Sequence, residues 1–248
     1  MRSRAGAIVL LVVLSRVLVP SAIAHSLPLG FIYLRDIDPT IEQDIRYAGP
    51  DNFVGHALPG YEAAVCVLRE PAAHALAKVQ ADLKAQGLGL KVYDCYRPIR
   101  AVRAMVSWAA EGSSDRSDER FFPRIAKNAL LARGFIAARS AHSTGLAVDL
   151  TLVARGTSPE TGIPAGACHG PADDSLDMGT TFDCFDPMAW TADPTIGTPA
   201  QQYRTLLLAA MQRHGFTNYR REWWHFSFPG GGAARKPLDF PIVARPGQ

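Results

Sequence analysis

Four residues in the second half of the sequence have types and spacing suited to metal chemistry. His142 lies in Ser140-Ala141-His142-Ser143-Thr144-Gly145, with Asp149 seven residues on, and His225 closes Glu222-Trp223-Trp224-His225. Two imidazoles and a carboxylate suit zinc, and three protein ligands leave a fourth position open to water. Zinc at such a site makes water a competent nucleophile at neutral pH. A carboxylate outside the ligand set can take the water's proton, and Glu222 is the candidate base. Taken singly, each piece is weak. A histidine and an aspartate seven apart can be a hydrogen-bonded structural pair, and Glu-x-x-His is common on any strand or helix surface. The helical His-Glu-x-x-His motif is not present here, because no second histidine stands at that spacing.

The elements around these residues must hold them together. Gly145 to Val153 alternates like a strand, with Leu146, Val148, Leu150 and Leu152 facing a core. Gly145, Ala147, Asp149 and Thr151 face the other way, and small residues beside a carboxylate leave space in front of it. Pro71 to Gln86 reads as a helix with Leu76, Val79 and Leu83 on its apolar stripe, ended by Gly87. Leu90 to Tyr93 is a short strand running into Asp94-Cys95-Tyr96-Arg97-Pro98. Pro98 opens a helix that stops near Gly112, followed by a polar loop from Ser113 to Glu119. Residues 155–197, rich in Gly, Pro, Asp and Thr, read as a long loop. Thr198-Pro199 caps a last helix through Tyr203, Leu206, Leu207 and Ala210 to His214-Gly215, and Glu222 to Phe228 forms a terminal strand. Helices mixed with short strands at irregular spacing indicate an α+β fold in a single domain, a small antiparallel sheet with flanking helices.

The N-terminus reads as an export signal. Met1-Arg2-Ser3-Arg4 is basic, Ala5 to Val19 is apolar apart from Arg16, and Ala22-x-Ala24 fits a signal-peptidase site. The apolar run is shorter than the ~20 residues of a membrane span. Residues 1–24 are therefore a signal peptide and 25–248 the working domain. Removing 24 of the 248 residues leaves 224, with 23 basic and 23 acidic side chains, so bulk charge offers nothing to a nucleic acid. No stable membrane association is expected after cleavage, and the sequence is silent on oligomeric state. Cys66, Cys95, Cys168 and Cys184 contain no C-x-x-C pair, and an even count in an oxidising compartment suggests two disulfides. Three connectivities are open; the favoured one is Cys66–Cys95 with Cys168–Cys184, and buried free thiols are the alternative.

Read together, the motifs resemble the D-alanyl-D-alanine dipeptidases, the VanX-type zinc enzymes of the hedgehog/DD-peptidase fold. The resemblance runs from Asp44-Ile45-Arg46-Tyr47-Ala48, Asp51-Asn52-Phe53-Val54-Gly55 and Gly60-Tyr61, through Tyr93-Asp94-Cys95-Tyr96-Arg97-Pro98 and the His142 segment. It continues in Asp149-Leu150-Thr151-Leu152, Met178-Gly179, Phe182-Asp183 and Glu222-Trp223-Trp224-His225-Phe226. It implies one zinc on His142, Asp149 and His225, Glu222 as base, and Arg97 as the cation that stabilises the tetrahedral intermediate. A guanidinium is permanently charged and forked, which suits a developing oxyanion. For the substrate, a small dipeptide, it implies that Asp183 pairs with the free amino group. Ser140 with Tyr61 would hold the terminal carboxylate, and Tyr47 would line the pocket. Trp223 and Trp224 would wall the cleft and steady Glu222. His25, His56, His74, His169 and His214 receive no role.

Two features depart from that family pattern: the export signal and the cysteine-bearing insertion around Cys168 to Asp177. The resistance-associated members act in the cytoplasm. An exported enzyme cannot drain the cytosolic D-Ala-D-Ala pool, so periplasmic (or secreted) scavenging or turnover of wall-derived dipeptide is expected instead. The competing expectations are a D,D-carboxypeptidase or endopeptidase acting on longer peptidoglycan peptides, and a non-catalytic wall- or zinc-binding protein.

Overall fold

A computed structural model describes residues 27–111, 118–156, 167–171, 173–230 and 236–245. The signal segment 1–24 lies outside these, as do most of the polar loop from Ser113 to Glu119 and residues 157–166 and 172 of the 155–197 segment. The chain begins with β1 (Phe31–Tyr33), α1 (Leu34–Ile37), β2 (Glu42–Gln43) and β3 (Val67–Arg69). Then come α2 (Glu70–Lys84), β4 (Leu88–Asp94), α3 (Ile99–Ala110) and β5 (Ala147–Ala154), followed by α4 (Thr198–Arg213), β6 (Thr217–Asn218) and β7 (His225–Ser227). The main sheet has the order β2-β4-β5-β7-β6 and is antiparallel except where β2 runs parallel to β4. A second, two-stranded sheet pairs β1 with β3. The expected α+β class with a small, mostly antiparallel sheet is what the chain forms. Among the described residues no helix is long and apolar enough to cross a membrane.

The long helices form where the apolar periodicity places them. In α2, Leu76, Val79 and Leu83 are fully buried, and Pro71 sits in the first turn, where its missing N–H costs nothing. Pro98 immediately precedes α3, which ends at Ala110, two residues short of the expected glycine. Thr198 is the first residue inside α4 rather than its cap: extended Gly197 precedes it, and no side chain caps the helix.

Strand β5 is the spine of the site. It lies between β4 and β7, and every residue from Ala147 to Val153 is buried. Its polar face is not open along its length, as the alternation suggested, since Thr151 is as buried as its leucine neighbours. Register then does the positioning. Asp149 lies opposite Asp94 on β4 and opposite His225 on β7. Between Val92 and Asp94, β4 advances two residues against one on β5; this bulge turns the end of β4 toward the site. The terminal strand is shorter than expected, because Glu222 to Trp224 form a turn, with Glu222 N–H bonded to the Tyr219 carbonyl at 2.8 Å.

Both favoured disulfides form. Cys66–Cys95 ties the end of β4 to the residue before β3, and Cys168–Cys184 closes the segment before α4. No free cysteine remains among the described residues.

Candidate active site

His142, Asp149 and His225 converge from three different elements. Asp149 is the third residue of β5, His225 comes from the start of β7, and His142 from the short 3-10 turn Ala141–Thr144 just before β5. Ser140 opens that turn by accepting the His142 N–H at 3.2 Å, and Gly145 closes it with φ at 75°. His142 Nε2 is 3.2 Å from Asp149 Oδ1 and 3.0 Å from His225 Nδ1, and His225 Nδ1 is 2.9 Å from Asp149 Oδ1. Three donor atoms in so tight a triangle, one of them anionic, suit a tetrahedral cation that takes all three. The orientation is fixed from behind: His142 Nδ1–H donates to the Cys95 carbonyl at 2.7 Å, which leaves the Nε2 lone pair aimed at the site. Burial alone would raise the Asp149 carboxyl, but the two imidazoles beside it hold it far below the usual carboxylate range. It is thus a permanent anion at working pH.

Arg97 and Glu222 flank this triangle. Arg97 Nε donates to Asp94 Oδ2 at 2.8 Å, one terminal nitrogen reaches Asp149 Oδ2 at 3.4 Å, and the guanidinium lies 4.8 Å from the centre of the Tyr47 ring. Desolvation works against its charge, yet Asp94 and the neighbouring oxygens keep it a cation. Glu222 lies 3.9 Å from His225 Nδ1 through Oε2. Burial pushes its carboxyl up to about 7, against the pull of His225, so it is poised to take and return a proton near neutrality.

These groups line a cavity of about 240 Å³, small beside the roughly 300–1,000 Å³ of sites for drug-sized ligands. Tyr47, Ser140, Asp183 and Trp224 line it too. Asp183 is 4% exposed and accepts the Tyr47 hydroxyl at 2.8 Å. Burial and the nearby Asp149 charge push its carboxyl well above the usual range, so a cationic occupant would restore its charge. Ser140 Oγ spends a lone pair on His142 N–H, and its own hydrogen is left to donate into the cavity.

Tyr61 differs from the expectation. It is not among the cavity-lining residues, and its buried hydroxyl donates to Asp94 Oδ1 at 2.6 Å. Asp94 therefore gathers Tyr61 and Arg97 on one carboxylate. That supporting role is readable in sequence only as an aspartate three residues before Arg97. Trp224 walls the cavity as expected, whereas Trp223 packs behind it and donates Nε1–H to Thr180 Oγ1 at 2.8 Å. Tyr219 and Arg139, to which the sequence assigns nothing, also line the mouth. His214 and His74 lie against Asp82 and Glu70, apart from the site.

The chain resembles known proteins over most of its length. A family model described as D-Ala-D-Ala dipeptidase matches residues 28–243. The chain belongs to that family. A D-alanyl-D-alanine dipeptidase of Enterococcus faecium is 32% identical over 86% of this chain and 98% of its own length. The namesake enzyme of Escherichia coli is 34% identical over 84% of this chain and 86% of its own length. Among solved structures, a mutant of the vancomycin resistance D,D-pentapeptidase VanY in complex with Zn(II) aligns with 70% of this chain and 79% of its own. The identity is 19% and the TM-score 0.37, a distant likeness only. As a member of the dipeptidase family, the chain is a zinc metallopeptidase, and among the described residues His142, Asp149 and His225 form a group that could hold a metal ion.

Proposed function

We propose that this protein hydrolyses D-Ala-D-Ala to two molecules of D-alanine, with one zinc per chain, outside the cytoplasm. The observation that carries the reading is Asp183: a buried carboxylate, with no cation within ion-pair distance among the described residues, facing the same small cavity as the metal triangle and Glu222. The relatives' names supply the D,D-dipeptide as the substrate to test. Export is supported by the signal-like residues 1–24 and by two disulfides that a reducing cytoplasm would not maintain.

Asp183 receives the free ammonium of the dipeptide, and Tyr47 keeps that carboxylate oriented. Ser140 donates to the terminal carboxylate at the other end. His142, Asp149 and His225 would hold the zinc, which would supply Lewis-acid polarisation of the scissile carbonyl and of water. Glu222 accepts the proton of the attacking water and passes it to the leaving nitrogen as the C–N bond breaks. Arg97, held by Asp94, meets the negative charge that develops on the carbonyl oxygen. An acylated or longer peptide would leave Asp183 buried without its cation, which selects strongly for a free dipeptide.

The decisive assay follows hydrolysis of D-Ala-D-Ala, N-acetyl-D-Ala-D-Ala and L-Ala-L-Ala by the purified protein, with and without a chelator. Chelator-sensitive cleavage of the free D,D-dipeptide alone is expected. Cleavage of the acetylated compound would replace this reading with a carboxypeptidase. Zinc binding without any hydrolysis would replace it with a binding protein. N-terminal sequencing of the protein from its native host should begin at His25; an intact Met1 would remove the basis for export.

A further inference from the structure

Asp183 sits in a left-handed backbone conformation, which aspartate adopts more readily than most residues but still at some cost. Its φ is 61°, in the left-handed region that L-residues other than glycine visit at a cost. Cys184 follows directly, and its disulfide partner Cys168 is itself left-handed at φ 62°. Both cysteines are buried, at 0% and 1% exposure. The two segments are also laced by hydrogen bonds. The Thr181 N–H and hydroxyl both donate to the Cys168 carbonyl, at 2.8 and 3.1 Å, while Cys168 N–H donates to Glu119 O at 2.7 Å and Phe185 N–H to Phe121 O at 2.6 Å. The bridge joins residues 16 apart in sequence, with Cα atoms 5.3 Å apart, at the base of the residue whose carboxylate enters the cavity. The three metal-triangle residues lie on β5, β7 and the turn before β5, held by the sheet. The Glu222 turn, by contrast, also leans on this segment, through Trp223 N–H to the Ala189 carbonyl at 3.0 Å and Trp223 Nε1–H to Thr180 Oγ1 at 2.8 Å.

From this placement we infer that the Cys168–Cys184 disulfide is a specificity device: it positions Asp183, and so sets the preference for substrates with a free amino group without taking part in the bond-breaking chemistry. The inference rests on the reading of Asp183 as the partner of the substrate ammonium. With the bridge gone, the backbone at Asp183 is free to relax to an extended conformation. That turns the side chain off the cavity wall and away from Tyr47. The ammonium contact is made in ground and transition states alike, so its loss appears in KM and not in kcat. The same enzyme with only the Cys168–Cys184 bridge opened would bind free and blocked dipeptides with little distinction.

The test compares wild type, Cys168→Ser/Cys184→Ser and Asp183→Asn for KM and kcat on free D-Ala-D-Ala, for the inhibition constant of a blocked dipeptide against that reaction, and for zinc content. The bridge variant should raise KM for the free dipeptide about tenfold or more, the scale of a lost hydrogen bond to a charged group, with kcat and zinc at wild-type values. Its preference for the free over the blocked compound should fall toward that of Asp183→Asn. If Asp183→Asn changes selectivity while the bridge variant keeps wild-type KM and selectivity, the inference is overturned and the ammonium reading stands. If Asp183→Asn leaves selectivity untouched, the ammonium reading itself fails and the inference with it. Cys168→Ala/Cys184→Val, which keeps the site apolar, repeats the test should the serines not be tolerated. Loss of zinc and of cooperative unfolding in both pairs would also overturn the inference, since the bridge would then support the whole domain.

Discussion

At the scale of single residues, Glu222 and His225 are three positions apart and do separable jobs. His225 supplies Nδ1 to the metal triangle, whereas Glu222 stands 3.9 Å from that atom and outside the donor set. Glu222→Ala should therefore keep its zinc while turnover falls by roughly 10²–10⁴-fold, the usual worth of a positioned acid–base group. His225→Ala should instead purify with little metal. Metal analysis and kcat on the same two samples check the pair, and an active Glu222→Ala would show the base to be misassigned. Arg97 is subtler, because it meets Asp94 through Nε and Nη2 and reaches Asp149 through Nη2 as well. A lysine cannot make both contacts and face an oxyanion, so Arg97→Lys should lose about 10²-fold in kcat with KM little changed. A lysine variant of near-normal kcat would mean that only the charge matters there.

At the scale of elements, the site depends on the short turn that delivers His142, and Gly145 makes that turn possible. Its φ is 75°, and a Cβ there would lie 2.3 Å from the Phe31 ring atom Cε1, while its carbonyl receives Arg69 N–H at 2.8 Å. Gly145→Ala combines backbone strain with a clash against the β1–β3 sheet and should cost about 2–4 kcal/mol, weakening zinc retention as well. Thermal unfolding with and without zinc measures both effects, and an unchanged midpoint would remove Gly145 from the account. The same turn shows what could be read in sequence. The Ser-x-His spacing, the strand after it and the helices at Leu76 to Leu83 and Tyr203 to Ala210 follow local periodicity and capping, which a single sequence carries. The β1–β3 pairing and the parallel β2–β4 contact join short segments with no pattern of their own. Tyr61 illustrates a related point: a motif names a residue, but only the fold shows that its hydroxyl meets Asp94.

At the scale of the whole molecule, the carboxylates outside the active site decide how the protein meets acid. Arg46 is buried and holds Asp44, Asp51 and Asp173 together, while Arg124 clasps the fully buried side chain of Asp186, which also accepts Met188 N–H at 3.0 Å. Burial by itself would raise the Asp186 carboxyl, but Arg124 and the Met188 amide outweigh it and hold the carboxyl below its ordinary value. Asp173, beside Lys91 and Arg46, and Asp51, beside Arg120 and Arg46, are lowered against burial in the same way. A lowered pKa means that the unfolded chain binds protons more readily than the folded one. The stabilisation from these groups is therefore complete above the unfolded value of about 3.9, and it drains away as pH falls through the lower folded values. Stability should be nearly flat in this contribution from pH 7 to about 5 and should decline steeply below about 4. Asp186→Asn can still accept the Met188 N–H but cannot titrate, so it should lower stability at pH 7 and flatten the acid limb. Denaturant unfolding of both proteins between pH 3 and 7 measures this. Parallel curves for wild type and variant would show that Asp186 carries no proton linkage, and that acid sensitivity arises at the Arg46 cluster instead.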